Sequence, residues 1–184
     1  MDRWSRTHEA LSQAALSLFA ERGYDATGTA QIAERAGVSE MTLFRHFSSK
    51  EALLLADPFD PLIADAVRAR PVNEQPMRAV VEAVREAWAG LDAESTAALR
   101  VRLRMVAAAS GLGGAIERNS EETITALIGA LADRGVATVT ARVAAKAVIS
   151  GLGVALLDWA LSENDCLGDA LGRALDVLGG ADNA

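Results

Sequence analysis

The chain has 184 residues, 51% of them hydrophobic, and a formal net charge of −7. That is room for one large domain or two small ones with a full core, and the charge has the wrong sign for a protein that coats nucleic acid without regard to sequence. A single cysteine, Cys166, excludes an intrachain disulfide and a disulfide-stapled secreted scaffold. With four Phe, three Trp and one Tyr, the apolar load falls on Ala, Leu and Val, which favours packed helices over sheets. No signal-peptide pattern opens the chain. Its most apolar stretch, Ala147 to Leu157, is too short to span a bilayer and is flanked by Lys146 and Asp158. The expectation is a soluble cytoplasmic protein without a membrane partner.

In chain order, the first predicted helix runs from about Arg6 to Arg22. Leu11, Ala14, Ala15, Leu18 and Phe19 follow the i, i+3, i+4, i+7, i+8 spacing of one buried stripe. Gly23 fits the position just past its end, and Tyr24 can pack back on Phe19. Arg3 and Arg6 either reach a phosphate or the minor groove, or belong to an unordered tail. A second helix is predicted from Thr29 to Ala36, with Ile32, Ala33 and Ala36 on one face. Gly37 supplies the positive φ that a sharp helix-ending turn needs. Ser39 is a suitable N-cap for a third helix reaching about His46, in which Leu43 and Phe47 share a face. Ser48 and Glu51 have the S-x-x-E spacing of a capping box ahead of the apolar run from Ala52 to Ala56. Helix, glycine turn, helix is the helix-turn-helix pattern, whose second helix enters a DNA major groove.

This region resembles the DNA-binding domain of the TetR (tetracycline repressor) family. The resemblance is carried by Ala15, Phe19, Gly23-Tyr24, Thr27, Ile32-Ala33, Ala36-Gly37-Val38-Ser39, Thr42-Leu43-Phe44, Phe47 and Lys50-Glu51, in order and in spacing. It covers under a third of the chain. It implies an all-α protein of about nine helices. Residues 1–50 would form a three-helix helix-turn-helix domain, and residues 51–184 a helical effector-binding and dimerisation domain. Phe44 stands where Tyr is common, which removes one phosphate-bonding hydroxyl. Met41 stands where a small residue is common, which changes what the helix can touch.

Beyond that region, Pro58 and Pro61 within DPFDP interrupt or end a helix, and a short helix resumes to about Arg70. The RPVNEQP segment reads as a loop. Further helices are predicted from Pro76 to about Leu91, Glu94 to Ser110, Ile116 to Arg134, Thr138 to Leu161 and Leu167 to Leu178. Gly111, Gly113 and Gly114 form a joint. The helix from Thr138 is apolar on more than one face, so it needs burial on several sides. It is either the central core helix of a monomer or part of a four-helix dimer interface. The resemblance implies the homodimer.

No catalytic constellation stands out, and no metal motif, phosphate loop or cofactor site is present in the sequence. On the predicted recognition helix, Leu43 and Phe47 belong to the core. Ser39, Glu40, Met41, Thr42, Phe44, Arg45 and His46 face DNA or its edge. Arg45 can take guanine through O6 and N7 or sit on a phosphate. Glu40 can accept from a cytosine amino group or exclude wrong sequences. Thr27 and Lys50 match positions where the family contacts phosphates. The first 56 residues carry Arg3, Arg6, Arg22, Arg35, Arg45 and Lys50 against Asp2, Glu9, Glu21, Asp25, Glu34, Glu40 and Glu51. Six minus seven leaves the region near neutral, so binding must rest on a few placed cations.

By the family's logic the second domain holds a ligand pocket, with Met77, Trp88, Arg102, Met105 and Trp159 as wall residues. Arg102 falls beside Leu99 and Val106 on its helix, while Arg100 and Arg104 fall on the opposite, solvated side. Arg102 is therefore either half of an ion pair, with Asp158 as a candidate, or an arginine that snorkels to water, or the anchor for the acidic head of a ligand. The DPFDP stretch and the RVRLRM run resemble a subgroup of TetR-like regulators that senses acyl-CoA-like molecules. The expected function is a homodimeric, non-enzymatic transcription regulator, a repressor released from a pseudo-palindromic operator by a small molecule. The rivals are a DNA-binding or architectural protein without effector, a small helical enzyme that merely carries a helix-turn-helix, and a protein–protein adaptor with a degenerate one.

Overall fold

The structure is a computed structural model that describes residues 2–55, 60–109, 112, 115–163 and 165–180. Among these, every regular element is an α-helix. They are α1 (Arg3–Arg22), α2 (Thr29–Arg35), α3 (Glu40–His46), α4 (Lys50–Leu55), α5 (Asp60–Ala69), α6 (Pro76–Trp88), α7 (Ala93–Ala108), α8 (Ala115–Asp133), α9 (Thr138–Leu161) and α10 (Leu167–Gly179). The short helix expected to resume after the DPFDP break is α5, which begins at Asp60, takes in Pro61 and brings the described helices to ten. Residues 57–59 of DPFDP, the three glycines of the expected joint and the side chain of Ile116 lie outside what is described.

Two compact units divide the chain. One comprises Met1–Ala56 with Val101–Asn119, the other Asp57–Arg100 with Ser120–Ala184. The first unit includes the C-terminal part of α7 and the start of α8.

The first unit is built on the α1 stripe. Leu11, Ala15, Leu18 and Phe19 pack with Ile32 and Ala33 of α2, Leu43 of α3, Phe47, and Leu53 and Leu54 of α4; Val106 and Leu112 belong to the same core. Each such large side chain contributes about 1.5–3 kcal/mol relative to exposure. The helix starts three residues earlier than Arg6 because Asp2 caps it, its Oδ1 accepting from the Ser5 N–H at 2.7 Å. Arg3 and Arg6 are thus helical, and the unordered-tail alternative is set aside. The cap of α4 is Ser49 rather than Ser48, with Ser49 Oγ accepting from the Ala52 N–H at 3.2 Å.

The second unit packs α6 against α5, α9 and α10, and α9 against α10. Val80, Val81, Val84 and Trp88 line the buried face of α6; Ala144, Ala145, Val148, Leu152 and Trp159 line that of α9. The small residues of α9 allow close approach. A Cβ at Gly151 would lie 2.9 Å from Leu178. By length and composition alone α9 would suffice to cross a membrane; here one of its faces forms part of this core. Arg134, just past α8, is buried and donates to the carbonyls of Pro71 and Glu74. The Glu74 carboxylate in turn accepts from Arg70 at 2.8 Å. That clamp fixes the loop between α5 and α6.

Candidate nucleic-acid interface

The turn that sets α3 against α2 follows from its sequence. Gly37 takes φ +71°. Its N–H donates to Glu34 O at 3.0 Å, and the Val38 N–H reaches back to Ala33 O at 2.9 Å. This is the paired closure of a Schellman ending, which needs a left-handed residue at that position. The chain then enters α3 through Ser39, whose Oγ accepts from the Thr42 N–H at 3.2 Å.

The two sides of α3 differ sharply. Leu43 is 0% and Phe47 3% exposed, whereas Met41 is 77% and Phe44 50% exposed. At about 100° per residue, Met41 and Arg45 lie about 40° apart on the side opposite Leu43, with Phe44 next to Met41. Arg45 is exposed. The other side chains expected at the interface are tied into the unit. The Thr42 hydroxyl lies 2.9 Å from that of Ser39. The Glu40 carboxylate accepts from the Thr29 hydroxyl and so links the starts of α3 and α2.

Thr27 and Lys50 are placed together but face inward. Thr27 is buried, and its hydroxyl donates to Gly23 O at 2.8 Å and to Leu18 O at 3.3 Å. Lys50 Nζ donates to Tyr24 O at 2.7 Å and to Thr27 O at 2.8 Å, and it lies 4.0 Å from the Tyr24 ring centroid. The lysine therefore fastens the loop between α1 and α2 to the start of α4. Two of its three ammonium protons are used in doing so.

Sequence reasoning missed an aromatic stack at the far end of α3. The His46 ring stacks on Trp4 with centroids 3.7 Å apart, and His8 stacks on Phe47 at 4.2 Å. The two imidazoles lie 5.8 Å apart. Burial holds both below the ordinary imidazole value; for His46 the neighbouring His8 and Arg45 act in the same direction. His46 Nδ1 is buried without a hydrogen-bond partner among the described residues. The signal was legible: Trp4 and His8 extend the Leu11, Ala15, Leu18 stripe backwards at helical spacing. A second brace had no such signal. Arg35 of α2 forms a two-pronged pair with Glu21 of α1 at 3.1 and 3.0 Å. Hydrogen bonds from Arg35 and then Ser17 hold the Glu21 carboxyl down to about 2.

The residues expected to line a ligand pocket fall in both units. Met77 is half-buried on α6, Trp88 is buried at its end, and Trp159 is buried on α9 with its Nε1 donating to Asp165 O at 3.2 Å. Arg102 is half-buried on the part of α7 that belongs to the first unit, and Met105 packs against that unit's core. Arg100 corrects the helical-wheel expectation. Its guanidinium lies 4.4 Å from the Trp159 ring centroid and donates to Asp165 O at 2.7 Å, so it is engaged rather than solvated.

Residues 11–56 match the family described as bacterial regulatory proteins, tetR family. Over 126 residues the chain is 36% identical to the HTH-type transcriptional regulator TcmR of Streptomyces glaucescens, a match covering 64% of this chain and 55% of TcmR. Over 76 residues it is 45% identical to the HTH-type transcriptional activator FasR of Mycolicibacterium smegmatis, covering 38% of this chain and 35% of FasR. The chain thus spans about half the length, or less, of these curated relatives. A solved structure of Thermus thermophilus FadR, a TetR-family transcriptional repressor in complex with lauroyl-CoA, is similar in fold. Its TM-score is 0.53 at 23% identity, over 93% of this chain and 92% of that one. The segment that forms the helix-turn-helix, residues 11–56, is thus the part of the chain that matches the tetR family of bacterial regulatory proteins.

Proposed function

We propose that the protein is a cytoplasmic, homodimeric transcription regulator that binds a pseudo-palindromic DNA operator and is released from it by a small molecule. One observation carries the DNA part. On the segment that matches the family, α3 buries Leu43 and Phe47 and turns Met41, Phe44 and Arg45 outward. In a major groove, Arg45 takes guanine through O6 and N7. Ser39, Thr42 and Glu40 hold the helix at its entry, and His46 anchors its far end. Lys50 and Thr27 shape the loop beside it, and the remaining Lys50 proton meets a phosphate.

Two copies of α3 must enter successive major grooves about 34–36 Å apart. The exposed apolar residues Val139, Val143, Val154 and Leu161 of α9 and Val177 of α10 support an assembly through these helices. The effector is an acyl-bearing or acidic molecule, a reading supported by the lauroyl-CoA held by the FadR of similar fold. Of the residues expected to meet it, Met77, Trp88 and Trp159 lie in the second unit and carry the proposal there. Its effect requires unequal affinity for the two forms of the dimer.

Genome-fragment selection with the purified protein tests the proposal. A recurrent pseudo-palindrome, bound more weakly in the presence of lauroyl-CoA, is expected. Capture of fragments without a shared sequence contradicts the operator, and binding indifferent to acyl-CoA contradicts the effector class.

A further inference from the structure

Placement on the outer face of α3 sorts its side chains into two groups. Glu40 and Thr42 are held by Thr29 and Ser39. Met41, Phe44 and Arg45 point away from the core, and the more exposed of the apolar pair, Met41 at 77%, shares with Arg45 the side opposite Leu43. Neither apolar side chain can satisfy a hydrogen-bond donor or acceptor on a base edge. The major groove offers one apolar group among its donors and acceptors, the C5-methyl of thymine. A methionine suits it, because three rotatable bonds and a polarisable sulfur let the side chain settle against a small apolar projection.

We propose that Met41 reads a thymine through its C5-methyl group, and that this thymine lies within about two base pairs of the guanine taken by Arg45. The spacing follows from the helix. Four residues separate Met41 from Arg45, which is about 6 Å of helix rise, against about 3.4 Å per base along a DNA strand. Phe44, on the other flank of Met41, shields the methyl contact from water. The assignment rests on the DNA-binding reading above and names the base that this face selects.

The test uses the full-length protein. A bound duplex is first selected from a random pool. Each thymine of its half-site is then replaced in turn by uracil, which removes only the methyl group. The wild type is expected to lose about three- to tenfold in affinity at one thymine per half-site, within two base pairs of a guanine. Met41→Ala is expected to bind the thymine and uracil forms equally. Because Met41 is exposed, this variant leaves the core intact, and an unchanged thermal melt checks that. Indifference of the wild type to uracil at every position overturns the assignment, as does a Met41→Ala protein that keeps the same sensitivity. Those outcomes leave DNA binding itself standing. If no duplex is selected at all, the DNA-binding reading falls and the thymine assignment falls with it.

Discussion

Lys50 and Thr27 hold the loop between α1 and α2 from two directions, and their loss should separate folding from DNA contact. Thr27→Val removes a buried hydroxyl that donates to two carbonyls. We predict a loss of about 1–3 kcal/mol of stability with the salt dependence of DNA binding unchanged, read by urea melts and titrations at several salt concentrations. Lys50→Met takes the ammonium donor from the Thr27 carbonyl and leaves the Tyr24 carbonyl with the Thr27 N–H alone. It should lower stability by a similar amount and also flatten the salt slope by about one unit. An unchanged slope would confine Lys50 to its structural role. The histidine stack predicts a distinct acid response. Folded His8 and His46 both titrate below the ordinary 6.5. Around that pH the unfolded chain binds more protons, so their contribution is complete above about 6.5 and fades as pH falls through the folded values. Glu21 is depressed from 4.5 to about 2, so its contribution fades only in that lower window. His8→Phe should therefore flatten the loss of thermal stability just below pH 6.5 and leave the lower one in place.

At the scale of the element, the glycine turn is the feature on which α3 depends. Alanine at Gly37 must adopt φ +71°, at a cost of about 1–2 kcal/mol. Gly37→Ala should lower the unfolding midpoint by that amount, and operator affinity should fall if the helix tilts. This turn was legible in the sequence because its chemistry is local: Ala36, Gly37 and Ser39 each do within a few residues what their types favour. The α1 stripe, Leu43 and Phe47 were legible for the same reason, since period and burial are one signal. What could not be read was pairing over distance. The hold of Thr29 on Glu40, that of Arg35 on Glu21, and the Trp159 ring under Arg100 join residues 11, 14 and 59 positions apart (40 − 29, 35 − 21, 159 − 100). No period reports such partners. Met105 teaches the same lesson: its helix pattern implied burial but did not name the core it would meet.

For the whole molecule, burial distinguishes a core position from two surface ones. Leu175 is buried in the second unit, whereas Val143 and Val154 are exposed on α9. Val143→Glu with Val154→Glu should give a folded monomer of 19.3 kDa. Leu175→Glu should unfold the unit instead, by burying a charge without a partner. Light scattering at micromolar concentration, with a melt of each variant, checks both, and a wild type that is already monomeric would end the dimer proposal. In the proposed function a near-neutral head recognises DNA by sequence through a few placed groups. The most direct test is a salt titration of the wild type on its selected duplex and on a scrambled duplex of equal composition. The account predicts at least about a thousandfold preference for the selected duplex, with affinity falling linearly in log–log form as salt rises. Equal binding to both duplexes, or binding to neither, would contradict it, and failure on both would favour the adaptor reading.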